Sequence, residues 1–170
     1  MSAGEQVGSI PAGGGVYVLV LRRRPPAVRA TVGALGAVLF EPGYYCYVGS
    51  ARAGLRARLE RHLRREGKRR RWHIDYLREL AEPVAALCWT GRGVGECELS
   101  RRVRALADEA VAGFGSSDCR CASHLYWFGR DPVARLARLR PDGAGRAMLV
   151  RFGPAREEQQ SGRAVRPVRR

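Results

Sequence analysis

Long apolar runs are missing from this sequence: nowhere do the roughly 18–20 consecutive hydrophobic residues of a bilayer-spanning helix occur. The start of the chain has no basic stretch followed by a long apolar one, so no secretory signal is expected, and the expected setting is cytoplasmic with no membrane partner. Acidic residues are few, 16 Asp and Glu against 31 Lys and Arg. Lysine is nearly absent, because every basic residue except Lys68 is arginine. Five cysteines (46, 88, 97, 119 and 121) are an odd number, which argues against a disulfide framework in a chain of this kind. No internal repeat is visible.

What is present fits one domain with a real core and short appendages: 170 residues, of which 45% are hydrophobic. A formal charge of +15 and a pI near 11.0 attract and steer polyphosphate chains. Charge alone is equally compatible with anionic membrane surfaces and ribosomal contacts. The abundance of Arg, Ala and Gly also has the stamp of GC-rich coding, which scatters arginine without local cause.

Residues 1–13 are small, polar and Gly-rich, and are expected to be disordered. A strand starts at Gly15 in Val-Tyr-Val-Leu-Val-Leu and is closed by Pro25-Pro26. Val28 to Val32 alternates like a half-exposed strand returning as a hairpin, and Glu41-Pro42-Gly43 is a turn that launches a strand through Val48. Leu55, Leu59 and Leu63 place an apolar stripe on an Arg-rich helix over 54–66. Trp72, Tyr76 and Leu80 mark a second helix, and Val84–Trp89 reads as a strand. A third helix is expected from Glu96 to Val111, with Leu99, Val103, Leu106 and Ala110 on one face and Gly113 ending it. A short strand follows over His124–Phe128. Residues 154–170 read as a basic flexible tail. This order predicts an α+β domain: a small, mostly antiparallel sheet packed by helices, spanning 14–130, with an insertion at about 23–43 and a C-terminal extension over 131–153.

Chemistry-bearing residues cluster in this frame. Gly15-Val16-Tyr17 and Tyr47-Val48-Gly49 lie on two strands and can bring two phenols to one sheet surface, although tyrosine is also simply a good strand residue. Arg58 and His62 stand one helical turn apart, about 40° around the axis, at the edge of the leucine stripe. A guanidinium there can grip a phosphate through two parallel hydrogen bonds, and an imidazole can move a proton near neutral pH. Arg56, Arg61 and Arg64 point away, as a solvated or phosphate-contacting surface. On a helical wheel Glu96 falls inside the arc of Leu99, Leu106 and Ala110, with Glu98 opposite. An inward carboxylate needs compensation: either a cap aided by the helix dipole, or a hard cation completed by water and phosphate.

These residues together resemble the GIY-YIG nuclease superfamily, through Gly-Val-Tyr, Tyr-Val-Gly-Ser-Ala, the Arg-Leu-Glu-Arg-His helix and the later Glu. The chain is most similar to the Uri-type branch of predicted endonucleases. That likeness rests on residues 43–51 (GYYCYVGSA), 72–77 (WHIDYL), 96–99 (ECEL) and 113–119 (GFGSSDC). The resemblance implies phosphodiester hydrolysis in DNA with a single Mg²⁺ or Mn²⁺, in a repair context that includes association with a DNA base-excision glycosylase. Carried over, Tyr17 helps activate the attacking water, Tyr47 orients the site, Arg58 stabilises charge on the transferring phosphorus, and Glu96 holds the metal. His62 assists proton transfer or binds phosphate. Gly49, Ser50, Arg56 and Arg61 fall on the substrate side, and so does His73, for which a core or capping histidine is the commoner reading. The segment between Tyr17 and Tyr47 is much longer than the family's usual short hairpin.

Trp72, Trp89 and Trp127 can stack bases but are assigned to the core. Cys119, Cys121 and His124, with Cys97 as a fourth, are ligand types suited to zinc, although the spacing is not that of a familiar zinc knuckle. The simpler reading is a turn at Ser117-Asp118 with an inward His124 ring, and a third places Asp118 or His124 in the active site. Two functional classes stand beside the endonuclease: a non-catalytic nucleic-acid-binding module on the same fold, and a zinc-stabilised RNA-binding or ribosome-associated protein.

Overall fold

Six successive residues of the first strand are buried, Val16 through Leu21, which fits a strand covered on both faces. The computed structural model describes residues 9–67, 69–91 and 93–153 and places this strand, β1 (Gly15–Arg23), at the centre of a sheet. The sheet also contains β4 (Gly43–Ala51), β5 (Glu82–Trp89), β6 (Glu109–Ala110), β7 (Leu125–Phe128) and β8 (Met148–Arg151), in the order β6-β7-β4-β1-β5-β8. Every pairing is antiparallel. The expected α+β class, a small antiparallel sheet packed by helices, is the observed one.

Alternation along β1 divides the core into two layers. Tyr17, Leu19 and Leu21 face α1 (Leu55–Leu63) and α2 (His73–Leu80), where Leu55, Leu59, Ile74 and Leu77 are fully buried. Val16, Val18 and Val20 face α3 (Glu96–Arg104) and α4 (Val133–Leu136), through Leu99, Val103, Val133 and Leu136. Each such aliphatic side chain contributes about 1.5–3 kcal/mol on leaving water, so the predicted Leu55/Leu59 stripe is what seats α1 on the sheet.

Four expectations about the elements need correction. The strand starting at Val28 is real (β2, Val28–Thr31), but it pairs with an unforeseen β3 (Ala37–Phe40) in a separate two-stranded sheet instead of returning along β1. Val32 and Phe40 are buried from that hairpin into the α1/α2 layer, so the 23–43 insertion caps the core. The third helix stops at Arg104, because Glu109 and Ala110 pair with Trp127 and Tyr126 as a sheet edge. Leu106 and Ala110 still pack on the same layer, which is why their spacing mimicked a longer helical stripe. The 131–153 segment is part of the domain: α4 closes one layer and β8 extends the sheet beside β5. Residues 10–13 are tied down: Ile10 packs on the core, and the carbonyls of Pro11 and Gly13 accept from the N–H groups of Arg56 and Leu55. Those bonds satisfy donors that a helix start leaves open. Residues 1–8 and the expected tail at 154–170 lie outside the described residues. Among the described residues, no helix is long and apolar enough to cross a membrane.

Candidate active site

Register brings the two tyrosines together. Tyr17 on β1 stands opposite Gly49 on β4, so Tyr47, two residues earlier, is its diagonal neighbour on the same face. Their ring centres are 6.4 Å apart. A Cβ on Gly49 would overlap the Tyr17 hydroxyl and ring, so glycine is required there to leave room for the phenol. The long connection between β1 and β4 leaves this register intact, because the extra residues form their own hairpin outside the sheet.

The tyrosines sit at the base of an open cleft of about 610 Å³ at the end of the sheet where β4 runs out. Its walls carry Arg58 from α1, Trp72 and His73 from the start of α2, Glu96 from the start of α3, and Asp118 from the loop before β7. Gly49 and Ser50 line it from β4.

Tyr17 is 1% exposed, and its hydroxyl is 2.7 Å from Nε2 of His62. Burial, reinforced by neighbouring Tyr47, pushes the Tyr17 phenol well above its ordinary pKa. Tyr47 is raised as well, by burial and then by the charge of Glu96. Both phenols are therefore protonated in the free protein at neutral pH. His62 is also 1% exposed and sits among the rings of Tyr17, Tyr47 and Trp72. It lies behind Tyr17, outside the residues that line the cleft, and proton exchange with Tyr17 is within reach.

Glu96 is the most closely held acid of the cleft. Ser50 donates its hydroxyl to Oε2 at 2.5 Å, and His124 Nδ1 lies 2.7 Å from Oε1. Burial raises the Glu96 carboxyl, but the hydrogen bonds from His124 and Ser50, with the charge of Arg58, outweigh it and hold the group below the usual carboxylate range. For His124, burial opposes the charged form and the bond to Glu96 overcomes it, so its pKa is raised. Ser50, expected to contact substrate, has its hydroxyl committed to orienting Glu96.

The arginines separate into distinct jobs. Arg58 packs its guanidinium over Trp72, 4.6 Å from the ring centre, and forms no ion pair among the described residues while facing the cleft. Arg61 stacks on Trp72 at 4.0 Å but directs its fork at Asp75, with both contacts at 3.0 Å. Asp75 is 1% exposed and also accepts from the backbone N–H of Arg71 and Trp72 at the start of α2. Arg61 is thus a structural tie between α1 and α2, contrary to its expected place on the substrate side. Arg56 is also reassigned: its guanidinium donates to the carbonyl of Ile10 at 3.1 and 3.2 Å and anchors the chain start.

His73 lines the cleft, packs on Phe114, and accepts the Gly115 N–H at Nδ1, 3.0 Å away; burial lowers its pKa. Asp118 is exposed on the cleft wall. Cys119 and His124 border an adjoining hollow that shares Ser50, Glu96 and Asp118 with the cleft, whereas Cys121 lines a different hollow, beside Cys97. Sequence reasoning missed Arg52, Arg71 and above all Trp72, which carries two guanidinia on one ring and lines the cleft. The available signal was the Arg71-Trp72 pair opening a helix after an Arg-rich one. Trp89 is fully buried and Trp127 half-buried, as expected for core residues.

The fold and cleft define a small α+β domain with a polar, arginine- and carboxylate-bearing site at one end of an antiparallel sheet. The chain belongs to the family described as domain of unknown function DUF123, whose profile matches residues 16–142. No curated protein and no solved structure matches it.

Proposed function

We propose that this protein is a metal-dependent endonuclease of the GIY-YIG type that hydrolyses phosphodiester bonds in DNA. The observation that carries the reading is the convergence of Tyr17, Tyr47, Arg58 and Glu96, from four separate elements, on one solvent-open cleft. Each supplies a group that phosphodiester hydrolysis needs.

Glu96 fits a hard divalent cation. It is a partly exposed carboxylate lining the cleft, 29% at the side chain, and with one protein partner at each oxygen it has acceptor capacity left. Asp118 stands on the same wall. One or two carboxylates with water and phosphate oxygens is the ordinary donor set for Mg²⁺ or Mn²⁺. When bound, such an ion polarises the phosphoryl oxygens and neutralises developing charge. Tyr17 keeps its proton through burial and donates it to His62 Nε2; its remaining lone pair on the cleft side accepts a hydrogen bond from a water. As that water loses a proton to the Tyr17 oxygen, the phenolic proton passes to His62, so the pair acts as a relay with no free phenolate at rest. Tyr47 orients the water and phosphate beside it. Arg58, stacked on Trp72 and without an ion pair among the described residues, presents its planar donors to the phosphate and stabilises the charge of the transition state. Arg58 contacts phosphate on this reading, which positions a substrate without specifying its sequence.

One observation favours the alternative of a binding module without turnover: both Glu96 oxygens already have protein partners. A cleavage screen decides between them. The full chain is incubated with single-stranded, duplex, nicked and branched DNA, and with RNA, in Mg²⁺, Mn²⁺ or chelator. Metal-dependent cutting of at least one DNA structure is expected, with Glu96→Gln at background while still binding DNA. Equal activity in wild type and Glu96→Gln defeats the nuclease reading, and binding without cutting selects the module. A repair context and a base-excision glycosylase partner rest on the resemblance alone.

A further inference from the structure

Four soft ligand types meet beside the cleft. Cys97 on α3, Cys119 and Cys121 in the loop before β7, and His124 at its end have one ligand atom each within 4.8 Å of all the others. Cys119 Sγ is 3.4 Å from His124 Nε2. In a tetrahedral zinc site, bond lengths of about 2.3 Å to sulfur and 2.0–2.1 Å to nitrogen put S···S at about 3.8 Å and S···N at about 3.6 Å. The cluster is therefore within a few tenths of an ångström of closure at one edge and within reach at the others. The segment is already shaped for it: Gly113 N–H bonds to Ala122 O, His124 N–H to Phe114 O and Cys119 N–H to Ser116 O, folding the loop back on itself. The cysteines are half-buried and His124 is buried, as in a site closed to solvent.

We propose that Cys97, Cys119, Cys121 and His124 bind one zinc ion, and that His124, ligating through Nε2, holds Glu96 in position through Nδ1. Three thiolates and an imidazole select zinc over Mg²⁺ or Mn²⁺, and four protein ligands make the site structural with no open position. The two ring nitrogens of His124 face different partners: Nε2 faces Cys119 in the cluster, and Nδ1 lies 2.7 Å from Glu96 Oε1. Metal on Nε2 leaves the proton on Nδ1, where it donates to the carboxylate, the carboxylate–histidine–zinc arrangement. Cys97 also sits next to Glu96 in the first turn of α3, so the ion clamps the start of that helix to the loop across from it. Structural zinc thus fixes the carboxylate that, on the nuclease reading, holds the catalytic cation.

The test uses the full chain, purified reduced and without a metal-binding tag. Elemental analysis is expected to find one zinc per chain that resists exchange by excess Mg²⁺. X-ray absorption is expected to give three sulfurs and one nitrogen around it. The chain has only three histidines, so nitrogen-15 NMR of histidine-labelled protein reads His124 directly. The expected form is metallated at Nε2 and protonated at Nδ1. Cys121→Ser is expected to lose zinc. His124→Cys keeps four soft ligands and zinc but breaks the link to Glu96, and cleavage is expected to fall about 10–100-fold. A reduced wild type that takes up no stoichiometric zinc, a shell of oxygen and nitrogen only, a disulfide among these cysteines, or the opposite His124 tautomer each overturns the proposal. Cleavage by zinc-loaded His124→Cys equal to wild type overturns the link to Glu96. If Glu96→Gln cuts as well as wild type, the nuclease reading fails, and zinc content, ligand shell and tautomer still decide this one.

Discussion

Removing one oxygen atom separates the structural from the catalytic role of the Tyr17–His62 pair. Tyr17→Phe keeps the ring that fills the space over Gly49 but deletes the hydroxyl 2.7 Å from His62 Nε2. His62 is 1% exposed, so its nitrogen is left without that partner away from water, at a cost of about 1–3 kcal/mol. A domain of ordinary stability, about 5–15 kcal/mol, still has at least about 2 kcal/mol left and stays more than about 95% folded. Loss of folded protein therefore changes a rate by only a few per cent. Loss of a positioned acid–base group lowers it about 10²–10⁴-fold, or about 2.7–5.4 kcal/mol in the barrier. The two effects are also separable by the second partner. Replacing both groups with apolar ones, Tyr17→Phe with His62→Leu, removes the nitrogen that lost its Tyr17 contact and is expected to recover most of the lost stability without recovering any cleavage. Urea denaturation followed by tryptophan fluorescence reads the first quantity, and initial rates of metal-dependent DNA cleavage read the second. If Tyr17→Phe cuts within about threefold of wild type while Glu96→Gln is inactive, the relay is wrong and the hydroxyl only supports the fold.

Asp75→Ala is expected to destabilise the protein by about 3–5 kcal/mol in the same urea assay, because it removes a 1% exposed carboxylate holding the Arg61 fork and two backbone N–H groups. Glu79→Ala, which breaks a pair that is 53% and 42% exposed, is expected to leave stability nearly unchanged; equal losses would refute the burial argument. Arg58→Ala is expected to keep DNA binding by filter assay and to cut about 10²–10³-fold more slowly, and parallel loss of binding would make it a binding residue. Arg56→Ala, which removes the guanidinium bonded to the Ile10 carbonyl, is expected to cleave within about threefold of wild type, and a loss comparable to that of Arg58→Ala would return it to the site.

Local pattern by itself determined the strand at Val16–Leu21, the leucine stripe of α1 and the α+β class, whereas the grouping of Tyr17, Tyr47, Arg58 and Glu96 into one site came from the family resemblance. Each of the first three depends on spacing along a few turns or a few strand positions, and spacing is written in the sequence. Glu96 was placed on the buried side by an arc of which Leu99 belongs to the nine-residue helix, while Leu106 and Ala110 lie beyond its end. Where α3 ends was not recognisable, because Leu106 and Ala110 keep a helical spacing while Ala110 pairs with Tyr126, a partner sixteen positions on. The arginines show the same boundary. Arg58 and Arg61 are three residues apart on one helix, and only the folding of α2 against α1 brings Asp75 to one of them and leaves the other facing the cleft. His62 lay at the edge of a stripe in the sequence and is behind Tyr17 in the fold, since its burial is set by Tyr47 and Trp72 arriving from other elements. Cys97 joins Cys119, Cys121 and His124 for the same reason: tertiary contacts depend on which surfaces meet, and that is a property of the packed whole and not of any one segment.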